Sequence, residues 1–219
     1  MAEFPIVPGK TAMLFFDTLN IYLHPADAER QATIDASGVI PRMMKINRAC
    51  RSAGIAVFYG QADHRPDGRD FAPQVVGLGY DGARGEAPRI SRRPGAAAGT
   101  SEAAIIAELA PEAGDYVIKK HRWSTFFQTH LELSLRTAGI DTVLIAGGAV
   151  EIGVASTAYA ARDRDFSLII LSDVCTSGRP NVHRMFMEEV FPIFARVMTV
   201  DEAIALIGAP AETASARSS

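Results

Sequence analysis

Thr142-Val143-Leu144-Ile145-Ala146-Gly147-Gly148-Ala149-Val150-Glu151-Ile152-Gly153 is the stretch that decides the fold. Thr142 to Ala146 is an apolar, β-branched run, which suits a strand covered on both faces. Gly147-Gly148 then breaks it. Ile152 to Arg162 resumes at helical spacing, with Ala155, Ala158 and Ala161 on one face. A buried strand turning through glycines into a helix is one βα unit.

The same unit recurs in both directions along the chain. Strands are expected at Thr11–Phe16, Ile55–Tyr59, Asp115–Lys119, Ser167–Ser172 and Ala195–Thr199. Helices are expected at Ser37–Ser52, Phe126–Thr137, Asn181–Val190 and Val200–Ile207. Ser124 or Thr125 is a candidate cap for the second of these, and Asp201 or a residue near it for the last. Apolar strands alternating with helices predict an α/β fold, a three-layer α/β/α Rossmann-like arrangement around a mainly parallel six-stranded sheet. Residues 1–208 read as a single domain. Arg65 to Thr100, rich in Gly, Pro, Arg and Ala, reads as a functional loop, and 209–219 as a disordered tail.

Composition removes several function classes. The chain has 219 residues, 48% of them hydrophobic, and a net charge of −3. That is enough to bury a core without disulfides or structural metal, and it gives no basic field for nucleic acid. The two cysteines, Cys50 and Cys175, cannot form a disulfide framework or a Cys-rich zinc site. No apolar run spans a bilayer and no signal peptide is visible, so a cytoplasmic location is expected. Asp63-His64 has no second histidine at ligand spacing, so neither metal nor other cofactor is expected. GxGxxG and GxSxG are both absent.

Parallel sheets place ligands beyond the carboxyl ends of their strands. That rule selects Asp17, Gln61, Lys119 with Lys120, Gly147 to Gly153, and Asp173. Asp17 after an apolar strand is a general acid or base, or else a turn aspartate. Alternation sends one of Lys119 and Lys120 into the crevice. There a lysine would hold Asp17 ionised or bind an anionic substrate group. The amides around Gly148 and Ala149 suit a carbonyl or carboxylate oxygen. His64 and Arg65 follow the second strand. Tyr22, Trp123 and Phe126 flank the strand ends, as core or as walls for an organic substrate.

These pieces resemble the isochorismatase-like, or cysteine hydrolase, family. Phe15-Phe16-Asp17-Thr18-Leu19-Asn20 resembles its first-strand motif, with Leu19 where a Gln is usual. Lys120-His121-Arg122-Trp123-Ser124-Thr125-Phe126 resembles its lysine motif, and Ile145 to Gly153 its third motif. The resemblance implies that Asp17 and Lys120 are catalytic. It also implies a non-proline cis peptide at Gly148-Ala149 and a homodimer or homotetramer. Most members carry a nucleophilic cysteine where this chain has Gly153. Isochorismatases proper carry glycine there, and Gln61 is similar to the Gln ending their second strand.

The resemblance therefore implies a hydrolase acting without a thiol on a small anionic molecule, through a vinyl ether or related C–O or C–N bond. Asp17 would be acid or base and Lys120 its electrostatic partner. Gly153 would leave room for water, and Glu151 would be a second acid/base or a helix-start carboxylate. Gln61, His64, Arg65, Tyr22, Trp123, Phe126, Gly148 and Ala149 would contact substrate. The alternative is a member that binds a ligand or partner without catalysis. A third, covalent route would use Cys175 from a displaced position.

Overall fold

The computed structural model describes residues 4–70 and 96–208. Most of the expected loop, and the expected tail, lie outside the described residues. Strands β1 (Thr11–Phe16), β2 (Ala56–Ala62), β3 (Tyr116–Lys120), β4 (Thr142–Gly148), β5 (Ser167–Thr176) and β6 (Arg196–Met198) form one sheet, in the order β3-β2-β1-β4-β5-β6. Every pairing is parallel. Strand order reverses between β1 and β4, and a crevice opens at such a point beyond the strand ends.

Side-chain alternation divides β1 between two cores. Met13 and Phe15 join Met43, Ile46, Cys50, Val200 and Ala203 on one face. These come from α3 (Val39–Ser52) and α7 (Val200–Leu206). Ala12, Leu14 and Phe16 join Leu131, Leu135, Ala155 and Ala158 on the other. That face is covered by α4 (Leu131–Thr137) and α5 (Ala155–Arg162). The sheet is thus sandwiched between helical layers, as its doubly apolar strands require. Two shorter helices, α1 (Asn20–Leu23) and α6 (Pro180–Met185), follow β1 and β5.

Several boundaries differ from expectation. The predicted helix at Ser37–Ser52 starts at Val39, because Gly38 adopts φ 64° and ends a separate helix, α2 (Ala28–Ser37). No residue of α2 is buried, so it carries no apolar stripe to read. The predicted helix at Phe126–Thr137 begins only at Leu131. Upstream, Ser124 closes a turn by accepting the Phe126 and Phe127 amides, and Gln128 is left-handed at φ 54°. Thr199, not Asp201, caps α7, in a reciprocal capping box with Glu202.

The β4–α5 connection also departs from a plain turn. Gly147 takes φ 131°, and a Cβ there would lie 2.0 Å from the Phe16 carbonyl oxygen, so only glycine fits. The Gly148–Ala149 peptide is cis. Val150–Val154 then forms a wider π-type turn, with the Val154 amide donating to the Ala149 carbonyl, before α5 begins. No helix among the described residues is long and apolar enough to cross a membrane.

Candidate active site

Asp17 is the first residue past β1. Its backbone is left-handed at φ 47°, a conformation aspartate tolerates better than most residues. The bend is held by its own amide donating to the Gly60 carbonyl and by the Leu19 amide donating to its carbonyl, both at 2.8 Å. The Asp17 carboxylate therefore turns back over the sheet edge. Its Oδ1 accepts from the Ala62 amide at 2.9 Å, and its Oδ2 accepts from Lys120 Nζ at 2.7 Å.

Lys120 ends β3, two strands away. Alternation sends Lys119 outward to Asp63 at 3.0 Å and Lys120 inward. Asp17 is 8% exposed and Lys120 4%. Burial raises the Asp17 carboxyl above its usual 3.8, while Lys120 pulls the other way. Burial is the larger effect. Lys120 Nζ also sits 4.3 Å from the centre of the Phe16 ring.

The pair lines a cavity of about 340 Å³ at the β1/β4 crevice. Gly148, Ala149, Gly153, Thr176 and Ser177 line it, as do Tyr22 and Trp123. Among the described residues, the charged side chains lining it are Asp17, Lys120 and Arg30. The first two cancel, and Arg30, on α2, forms no ion pair among those residues. Counted over the described residues, the cavity is thus net positive. A second hollow, of about 550 Å³, shares Asp17, Tyr22, Lys120 and Trp123 and adds His64 and His121.

Not every residue expected at the site reaches it. The Gln61 amide is buried, but it donates to the Ala103 carbonyl at 2.7 Å. Arg65 is exposed and pairs with Asp67 at 2.6 Å. Phe126 packs on Phe166 beneath the α4/α5 layer. Glu151 lines a separate surface hollow and pairs with Arg179 at 3.1 Å. Burial pushes its carboxyl up, but its own backbone bond, then Ser177 and Arg179, hold it below the usual value. The room expected beside Gly153 is filled by the Phe16 ring.

Cys175 is buried, its Sγ lies 3.5 Å from the Ile145 carbonyl, and burial pushes its thiol up to about 12. That environment suits a structural thiol, not a nucleophile.

Sequence spacing offers no partner for His64, yet folding supplies one. The β2/β3 register brings His121 close, and Asp70 Oδ2 lies 3.5 Å from His64 Nδ1 and 3.2 Å from His121 Nδ1. The three ligand atoms lie within 4.8 Å of one another, a spacing a cation could bridge. The same Asp70 carboxylate accepts the Arg65 amide at 3.0 Å, so it is already anchored as part of the loop. Arg30 also escapes sequence reasoning, because a helix with no fully buried residue gives no periodic signal.

The isochorismatase domain family matches residues 11–202. The ureidoacrylate amidohydrolase RutB of Methylobacterium radiotolerans is 31% identical, over 93% of this chain and 81% of its own length. An isochorismatase-like hydrolase from Alkaliphilus metalliredigens superposes with a TM-score of 0.69 at 30% identity, over 90% of this chain and 97% of its own. N-carbamoylsarcosine amidase from Thermoplasma acidophilum gives 0.65 at 28% identity, over 88% and 97%. With its parallel sheet, its strand-end Asp17 and Lys120, and a family match over most of its length, this chain belongs to the isochorismatase family of hydrolases.

Proposed function

We propose that this protein hydrolyses a small anionic organic substrate without a covalent intermediate. The bond is a vinyl ether or a related C–O or C–N bond. The observation that carries this reading is the buried Asp17–Lys120 pair at 2.7 Å, lining a net-positive cavity. Protonating carbon needs an acid that keeps its proton near neutral pH, and burial supplies that tendency at Asp17. Lys120 opposes it until a substrate anion engages the ammonium. Substrate binding then releases Asp17 to hold a proton.

On a vinyl ether, Asp17 gives that proton to the terminal carbon. The double-bond electrons form the new C–H bond, and an oxocarbenium ion remains. Water adds to the cationic carbon and returns a proton to the Asp17 carboxylate. The hemiketal then collapses to a carbonyl compound and a free alcohol. Arg30 holds a substrate carboxylate at the cavity mouth, and Tyr22 and Trp123 cover the apolar body. His64, in the adjoining hollow, and the Gly148–Ala149 segment complete the contacts. A single domain over 1–208, a homodimer or homotetramer, and a cytoplasmic location belong to the same reading.

The test is turnover of isochorismate, ureidoacrylate and N-carbamoylsarcosine by the wild type, Asp17→Asn and Lys120→Ala. Hydrolysis that depends on both side chains is expected. Unchanged turnover in both variants overturns the mechanism. Binding without turnover of any of these compounds would favour a ligand-binding role, which the missing thiol at Gly153 also motivates.

A further inference from the structure

Gly153 lies in the cavity wall beside Asp17 and Lys120, yet it opens no extra space. A Cβ built on Gly153 would lie 2.1 Å from Phe16 Cζ and 2.2 Å from Cε1. Nonbonded carbons do not approach so closely. Phe16 is 2% exposed, packed within the α4/α5 core and bordered by the cavity on its other side, so a side chain at position 153 must displace its ring. Phe16 comes from the end of β1 and Gly153 from the turn after β4, so neighbouring strands bring the two together.

We propose that Phe16 and Gly153 form a coupled pair, in which the Phe16 ring takes the volume that any side chain at position 153 would need. Phe16 is thus the residue that closes position 153 to a side-chain nucleophile. A thiol there is accommodated only when Phe16 is also made smaller. This deepens the non-covalent function proposed above and rests on it for its catalytic meaning. Stability and thiol chemistry test the pair directly, and both can be measured even if the chain turns nothing over.

The experiment compares Gly153→Cys in the wild type and in Phe16→Val. In the wild type, overpacking lowers Tm by about 5–10 °C. In the Phe16→Val background the same change costs nothing or raises Tm, because the sulfur enters the volume the ring has left. Iodoacetamide then reports access to the new thiol. A sulfur–carbon bond forms, the carbon–iodine bond breaks, iodide leaves and the thiol proton goes to solvent. Labelling at position 153 is expected to be at least about tenfold faster in the double variant. The buried Cys50 and Cys175 give a slow background.

The proposal is overturned if Gly153→Cys shifts Tm equally in both backgrounds, or if labelling rates match. If Gly153→Cys alone does not fold, Gly153→Ala carries the same comparison with a shorter side chain.

Discussion

Lys119 and Lys120 are neighbours on one strand, and each meets an aspartate. Lys119 pairs with Asp63 at 3.0 Å, with its side chain 49% exposed. Lys120 pairs with Asp17 at 2.7 Å, with its side chain 5% exposed. The chemistry of the two pairs is the same and the distances are close. Only burial separates them. Water screens the outer pair, whereas the inner pair has left water and must satisfy itself. The fold thus carries its own control for what desolvation adds to an ion pair.

The largest expected break in that comparison is in turnover. Asp17→Asn should lower kcat about 10³-fold, within the usual range for removing a general acid, while Asp63→Asn should stay within about twofold. Steady-state kinetics on whichever substrate is turned over would decide it. Stability should divide the same way. Lys120→Met leaves a buried carboxylate unpaired and should cost about 3–5 kcal/mol in urea unfolding, against less than about 1 kcal/mol for Lys119→Met.

A smaller effect is expected at the cavity mouth. Arg30→Ala should raise KM for a carboxylate substrate about tenfold with kcat nearly unchanged, since the contact is the same in ground and transition states. A neutral amide analogue should show no such change. Loss of kcat instead would move Arg30 into the reacting centre.

The pH dependence of stability should show two opposite, smaller slopes. Burial raises the Asp17 carboxyl, so the folded protein holds that proton more tightly than the unfolded chain. Its contribution is present below the ordinary value of 3.8 and is lost as pH rises through the higher folded value. His64 is the reverse. Burial lowers it from 6.5 despite Asp70, so its contribution is present above 6.5 and is lost as pH falls through the lower folded value. Asp17→Asn should flatten the first slope and His64→Gln the second in thermal melts across pH. Retention of both slopes in both variants would assign them to other groups.

The readable parts of this molecule are those whose signal is local. The strands are legible because β1 is apolar at every position but its first and buried throughout. Asp17 and Lys120 are legible because strand ends and alternation place them without knowledge of packing. α2 is not, since it packs a lone Ile34 against the core and one residue makes no stripe. The meeting of His64 with His121 depends on the β2/β3 register, and that of Phe16 with Gly153 on the pairing of β1 with β4. Register is a property of two strands together. No window along one of them contains it. Glu151 illustrates the converse: its place in the motif is visible, but the π-type turn that aims it at Arg179 is not.

The left-handed backbone at Asp17 has an evolutionary consequence. Asparagine has the same shape and shares aspartate's tolerance of that conformation, whereas branched residues do not. The codon neighbourhood that keeps the loop folded therefore includes a version with no acid. A lineage crossing from enzyme to receptor by exchanging that one oxygen for nitrogen keeps the bend, but it leaves the buried Lys120 ammonium without its carboxylate and gives up stability.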